Sequence, residues 1–130
     1  MKFLHTMLRV GNLDKSIQFY CNVLGFELLS REDYPDGEFT LAFLGPKSDG
    51  KVTEAFLELT FNWGTSSYER GNAFGHIALG IPSMKILAEN LKNSGHGFSW
   101  GPKPSPSGRS TIAFMTDPDG YSIEFIEAER

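Results

Sequence analysis

His5-Thr6-Met7-Leu8-Arg9-Val10 returns later in the chain as His76-Ile77-Ala78-Leu79-Gly80-Ile81, a shift of 71 residues. Both stretches open on a histidine inside a short apolar run, which is the pattern of a strand. At the same shift Leu13 meets Met84 and Ile17 meets Ala88. Further on, Thr40-Leu41-Ala42-Phe43 meets Thr111-Ile112-Ala113-Phe114. At a shift of 66, Phe56-Leu57-Glu58-Leu59 then meets Ser122-Ile123-Glu124-Phe125. The final turn is thus five residues shorter in the second half. A displacement kept across distant segments marks an internal duplication.

Each half predicts the order β-α-β-β-β. In the first, residues 3–10 form a strand. Asn12 caps a helix whose inward stripe is Leu13, Ile17, Tyr20 and Leu24, and Gly25 ends it. Strands follow at 26–32 and 38–45 around the turn Tyr34-Pro35-Asp36-Gly37. A turn at 46–50 leads to a strand from Val52 to Phe61. In the second half 74–81 is a strand, and Pro82-Ser83 open a helix with Met84, Leu87, Ala88 and Leu91 inward. Strands come next near 97–100, 110–116 and 121–127, the last two joined by Asp117-Pro118-Asp119-Gly120. The proline-rich stretch 101–109 predicts a loop. The reading is one α+β domain over 1–130, with modules at 1–64 and 74–130 and a polar linker at 65–73.

Composition sets the outer limits. With 130 residues, 40% hydrophobic and 22% charged, the chain suits one globular domain. No apolar run is long enough for a membrane helix, and residues 1–9 lack the pattern of a signal peptide. The single cysteine, Cys21, forbids an internal disulfide and fits a reducing cytoplasm. A net charge of −4 without a basic run disfavours nucleic acid and anionic membranes as partners.

The duplication places one His early and one Glu late in each half, all four within apolar strands. Singly, a strand His is usually a hydrogen-bonded core or surface residue, and a strand Glu lies on a solvated face. As a set, His5, Glu58, His76 and Glu124 offer two imidazoles and two carboxylates. A shared divalent cation would satisfy them, and the donors suit Zn²⁺, Ni²⁺, Co²⁺ or Fe²⁺ better than Ca²⁺. Arg9 shares the face of His5 and is either a carboxylate binder or an ordinary exposed strand arginine. Lys103 and Arg109 bracket the loop and could close on an anion. His96, without a repeat partner, reads as surface, and Cys21 as a half-buried bystander.

Four motifs carry a resemblance: His5 to Gly11, Glu58 to Gly64 with its Asn62-Trp63-Gly64 end, Phe74 to Ala78, and Asp117 to Glu124. Together they resemble the glyoxalase I (lactoylglutathione lyase) family of the vicinal oxygen chelate superfamily, over essentially the whole chain. The resemblance implies two βαβββ modules in a curved mixed sheet, and a homodimer. It implies a metal held by His5, Glu58, His76 and Glu124, with one His and one Glu drawn from each of two chains. It further implies isomerisation of the hemithioacetal of methylglyoxal and glutathione to S-lactoylglutathione. It assigns the base to Glu124, with Glu58 as ligand and second candidate. Arg9 and Asn62 fall on glutathione-contacting positions, and Lys103 and Arg109 on a loop that grips a glutathione carboxylate. The chain resembles the compact members, which use Ni²⁺ or Co²⁺ rather than Zn²⁺. A CoA-thioester epimerase and a non-catalytic binding protein are the competing readings. The first has less need of Asn62-Trp63-Gly64, and the second would lack the four donors.

Overall fold

The computed structural model describes residues 1–52 and 56–128. Thr53, Glu54 and Ala55 of the expected strand 52–61, and Glu129 and Arg130 at the end of the second module, lie outside the described residues. The chain divides into two compact units, Met1–Glu69 and Arg70–Arg130.

Unit 1 begins with β1 (His5–Arg9) and α1 (Leu13–Gln18), which runs on into a π-helical turn at Phe19–Val23. There follow β2 (Glu27–Tyr34), β3 (Phe39–Gly45), the small hairpin β4 (Lys47–Ser48) and β5 (Lys51–Val52), and β6 (Phe56–Asn62). The main sheet has the order β1-β6-β3-β2, with β1 parallel to β6 and the other pairs antiparallel. The Asn12 side chain accepts from the Lys15 amide at 3.0 Å and so starts α1 as expected. The little hairpin replaces the expected plain turn at 46–50. Asp49 and Gly50 both have positive φ, 52° and 75°, which is the backbone that a two-residue hairpin turn needs.

One face of this sheet packs on the helix. Leu8, Val10, Ala42, Leu44, Leu57 and Leu59 are buried there with Leu13, Phe19, Tyr20 and Phe26. The expected stripe shifts, however. Ser16 is fully buried, while Ile17 and Leu24 are only half-buried. Ser16 lies on α1 ahead of that turn, three residues after Leu13 and three before Phe19, and the slower winding of the π-helical turn from Phe19 onward carries Leu24 off the buried stripe.

Unit 2 comprises β7 (His76–Gly80), α2 (Met84–Asn93), β8 (Trp100–Pro104), β9 (Ser110–Thr116) and β10 (Ser122–Ala128). The order is β7-β10-β9-β8, with β7 parallel to β10. Its core is Met84, Leu91, Ala113, Met115, Ile123 and Phe125. Ser83 caps α2 through the Ile86 amide, and Glu127 of β10 accepts from the Met84 amide.

The eighth strand corrects the sequence reading. The expected strand at 97–100 begins only at Trp100, and residues 101–104 of the expected loop belong to it. β8 is an edge strand paired only with β9, so Pro102 and Pro104 break no second ladder. The pairing slips between Trp100 and Lys103, across a cis Gly101–Pro102 bond. The remainder, 105–109, forms the turn into β9.

Candidate metal centre

The two parallel pairs have one register. Met7 lies opposite Glu58, and Ala78 opposite Glu124. Each glutamate therefore pairs with the residue two places beyond its histidine. Cross-strand partners and residues two apart share a face. Each His–Glu pair is thereby delivered to the sheet face away from the helix.

In unit 1 His5 Nε2 lies 2.7 Å from Glu58 Oε2, and the side chains are 37% and 13% exposed. In unit 2 His76 Nε2 lies 3.6 Å from Glu124 Oε2, with 40% and 15% exposed. A carboxylate shielded from water on an apolar face requires a positive or donating partner. In both units the imidazole is turned toward it. Phe43 meets the His5 ring edge-on at 5.3 Å, and Phe114 meets His76 in the same way at 5.3 Å. These two phenylalanines were not singled out by the sequence, although they coincide at the 71-residue shift. They wall each imidazole and restrict its orientation. Among the described residues no group of three or more His, Cys, Asp or Glu side chains that could hold a metal is assembled. Each unit instead presents one nitrogen and one oxygen donor side by side, a combination suited to a borderline divalent cation.

The other expected site residues divide between the sheets. Arg9 ends β1 and pairs with Thr60, one row beyond Glu58 on the same face. Asn62 ends β6 and stands two residues past Thr60 on that face. Its Nδ2 donates to the Tyr68 hydroxyl at 2.9 Å. Tyr34 and Glu32 border the same face on β2. The Tyr34 phenol donates to Glu32 at 2.8 Å. That bond and the Glu32 charge, with smaller contributions from desolvation and the Glu58 charge, raise the phenol above its ordinary pKa. In unit 2 Lys103 pairs with Ile112 on the face of Phe114, and its ammonium rests 5.0 Å from the centre of the Trp100 ring. Arg109 is exposed on the turn before β9 and is not brought beside Glu124. His96 is exposed after α2.

The duplicated βαβββ unit is the architecture of a superfamily, and this chain belongs to it. The matching family is the glyoxalase/bleomycin resistance protein/dioxygenase superfamily, whose model covers residues 2–125. Within it, the chain is 52% identical over 128 residues to a probable lactoylglutathione lyase of Synechocystis sp., covering 98% of this chain and 95% of that relative. Glyoxalase I from Zea mays has a TM-score of 0.86 at 38% identity over 98% of this chain, which spans 47% of the maize chain's length. The trypanothione-dependent glyoxalase I of Leishmania major has a TM-score of 0.78 at 38% identity, over 98% of this chain and 86% of that one. No helix among the described residues is long and apolar enough to cross a membrane.

Proposed function

We propose that this protein is a lactoylglutathione lyase, isomerising the hemithioacetal of methylglyoxal and glutathione to S-lactoylglutathione. The observation that carries the reading is the repeated register that sets a shielded glutamate beside a histidine in both units. The near-full-length similarity to a probable lactoylglutathione lyase supports it.

Membership of the family implies a divalent metal, and the donor set fits one. His5, Glu58, His76 and Glu124 would hold it, with Ni²⁺ favoured over Co²⁺ and Zn²⁺. When bound it supplies Lewis acidity next to the reacting oxygens, lowering the cost of the negative charge that develops there. The proton movement falls to the protein. Glu124 takes the proton from the carbon bonded to sulfur and returns it to the adjacent carbon, while the hydroxyl proton passes from the oxygen of the first carbon to that of the second, converting the hemithioacetal into the thioester with no net change in atoms or electrons. Glu58, closer to its histidine, serves as ligand and second base.

Arg9 and Asn62, beyond Glu58 on the same face, are suited to the amino-acid end of glutathione. Lys103, and Arg109 from the turn, supply positive charge for a carboxylate. A homodimer would complete each four-donor set with His5 and Glu58 of one chain and His76 and Glu124 of the other. A thiol substrate and a lone cysteine accord with a reducing, cytoplasmic setting.

The test is direct. Purified protein is given methylglyoxal, glutathione and Ni²⁺, and thioester formation is followed by its ultraviolet absorbance. Turnover that needs both glutathione and metal supports the reading. A protein that is folded, metal-loaded and inert toward the hemithioacetal overturns it.

A further inference from the structure

The segment after β6 doubles back over the end of the unit-1 sheet. Gly64 has φ +86°, a conformation favouring glycine, and the Thr65 amide bonds to the Asn62 carbonyl at 3.1 Å, closing a turn. Ser66 then lies against Gly11, just past the end of β1. A Cβ at residue 11 would stand 2.0 Å from the Ser66 carbonyl oxygen, so only glycine admits the segment there. The fold-back ends with the Tyr68 hydroxyl 2.9 Å from Asn62 Nδ2.

The strand end beneath is anchored from the opposite side. Trp63, next to Asn62, donates from Nε1 to Thr40 Oγ1 at 2.9 Å, and Thr40 donates to Asp33 at 2.7 Å. Thr40 is buried. The Trp63 amide also bonds to the Glu38 carbonyl at 2.9 Å. Backbone and indole thus fix where Asn62 sits, and the remaining freedom is rotation of its side-chain amide.

We propose that Tyr68 is a positioning residue that sets this rotation. With Nδ2 committed to the phenol oxygen, Asn62 Oδ1 is turned outward as an acceptor. An amide acceptor one row from the Arg9 guanidinium reads a group carrying both an ammonium and a carboxylate. Tyr68 acts through Asn62 and needs no contact with the substrate. The proposal rests on the function proposed above, and it predicts an effect on recognition of the thiol rather than on the proton transfer.

The experiment compares Tyr68→Phe with the unaltered protein, using the glutathione hemithioacetal and that of a glutathione analogue lacking the amino group. Loss of one hydrogen bond predicts a KM increase of roughly three- to tenfold for glutathione with kcat unchanged. The analogue shows no such increase. In an Asn62→Ala background the second substitution adds nothing further. Equal KM increases for both thiols, additivity with Asn62→Ala, or a fall in kcat at unchanged KM would overturn the positioning role. A lowered melting temperature with the thiol discrimination intact would make Tyr68 merely structural. Absence of turnover in the unaltered protein would instead refute the proposed reaction, so the two failures are distinct.

Discussion

Two rows of side chains can be followed across each sheet, and their differences are informative. In unit 1 the row through the glutamate is Met7, Glu58, Phe43, Ser30; in unit 2 it is Ala78, Glu124, Phe114, Trp100. The next row is Arg9, Thr60, Leu41, Glu32 against Gly80, Ile126, Ile112, Lys103. The two central positions of the first row are identical in type. Everything around them has changed, and the β2 anion Glu32 in unit 1 is replaced at the equivalent place in unit 2 by the β8 cation Lys103. If the proposed reaction holds, the repeated donor and wall residues would serve the same chemistry in both units, and the diverged flanks would meet the two different ends of an asymmetric thiol.

The sharpest break of this equivalence is at the carboxylates. Glu124→Gln should lower kcat by roughly 10²–10⁴-fold, the usual loss for a proton-transfer group, with an unchanged melting temperature. Glu58→Gln should retain more turnover once metal is saturating. Equal losses in both would mean that the two units share the proton transfer, and the asymmetry inferred from the 2.7 Å and 3.6 Å separations would fail.

Metal dependence asks whether the two half-sets act on one ion. Removal by a chelator should abolish turnover, and Ni²⁺ should restore more of it than Zn²⁺. Metal content after gel filtration should be one ion for every two His–Glu pairs. One ion per pair would show that the units load independently, and a larger recovery with Zn²⁺ would remove the nickel preference.

Complementation gives a smaller but more geometric result. His5→Ala and His76→Ala should each be inactive alone. If a dimer closes its sites with one pair from each chain, a mixed dimer has one site with both defects and one with none. About half the activity per mixed dimer should return. With subunit exchange verified, no recovery would show that each chain uses its own two pairs.

Much of this arrangement was legible in the chain, and the reasons are specific. His5 and His76 stood out because a polar ring in an apolar strand demands a partner, and a fixed shift ties the two together. Glu58 and Glu124 followed from alternation, since strand side chains switch faces at every residue. Tertiary effects concealed the rest. The strand at Trp100–Pro104 was hidden by its prolines, which only an edge position permits. The buried Ser16 was hidden by its polarity, because a stripe drawn through apolar residues passes over a small hydroxyl. Tyr68 lay in a stretch read as linker, and its bond to Asn62 depends on a fold-back that Gly11 and Gly64 allow without announcing.

The smallest expected effect probes the helical difference between the units. Unit 1 ends its helix in a π-helical turn containing Cys21, whereas α2 runs as a plain ten-residue helix. Burial of Cys21 raises the thiol pKa, and the nearby Lys47 charge offsets this only in part. The thiolate is the reactive form, so a raised pKa leaves less of it at any pH below that value. Cys21 should therefore react with iodoacetamide more slowly in the native protein than in urea at the same mildly alkaline pH. The native rate should continue to climb with pH after the unfolded rate has levelled. Equal native and unfolded rates, with a shared pH profile, would mean that the turn does not shelter the thiol.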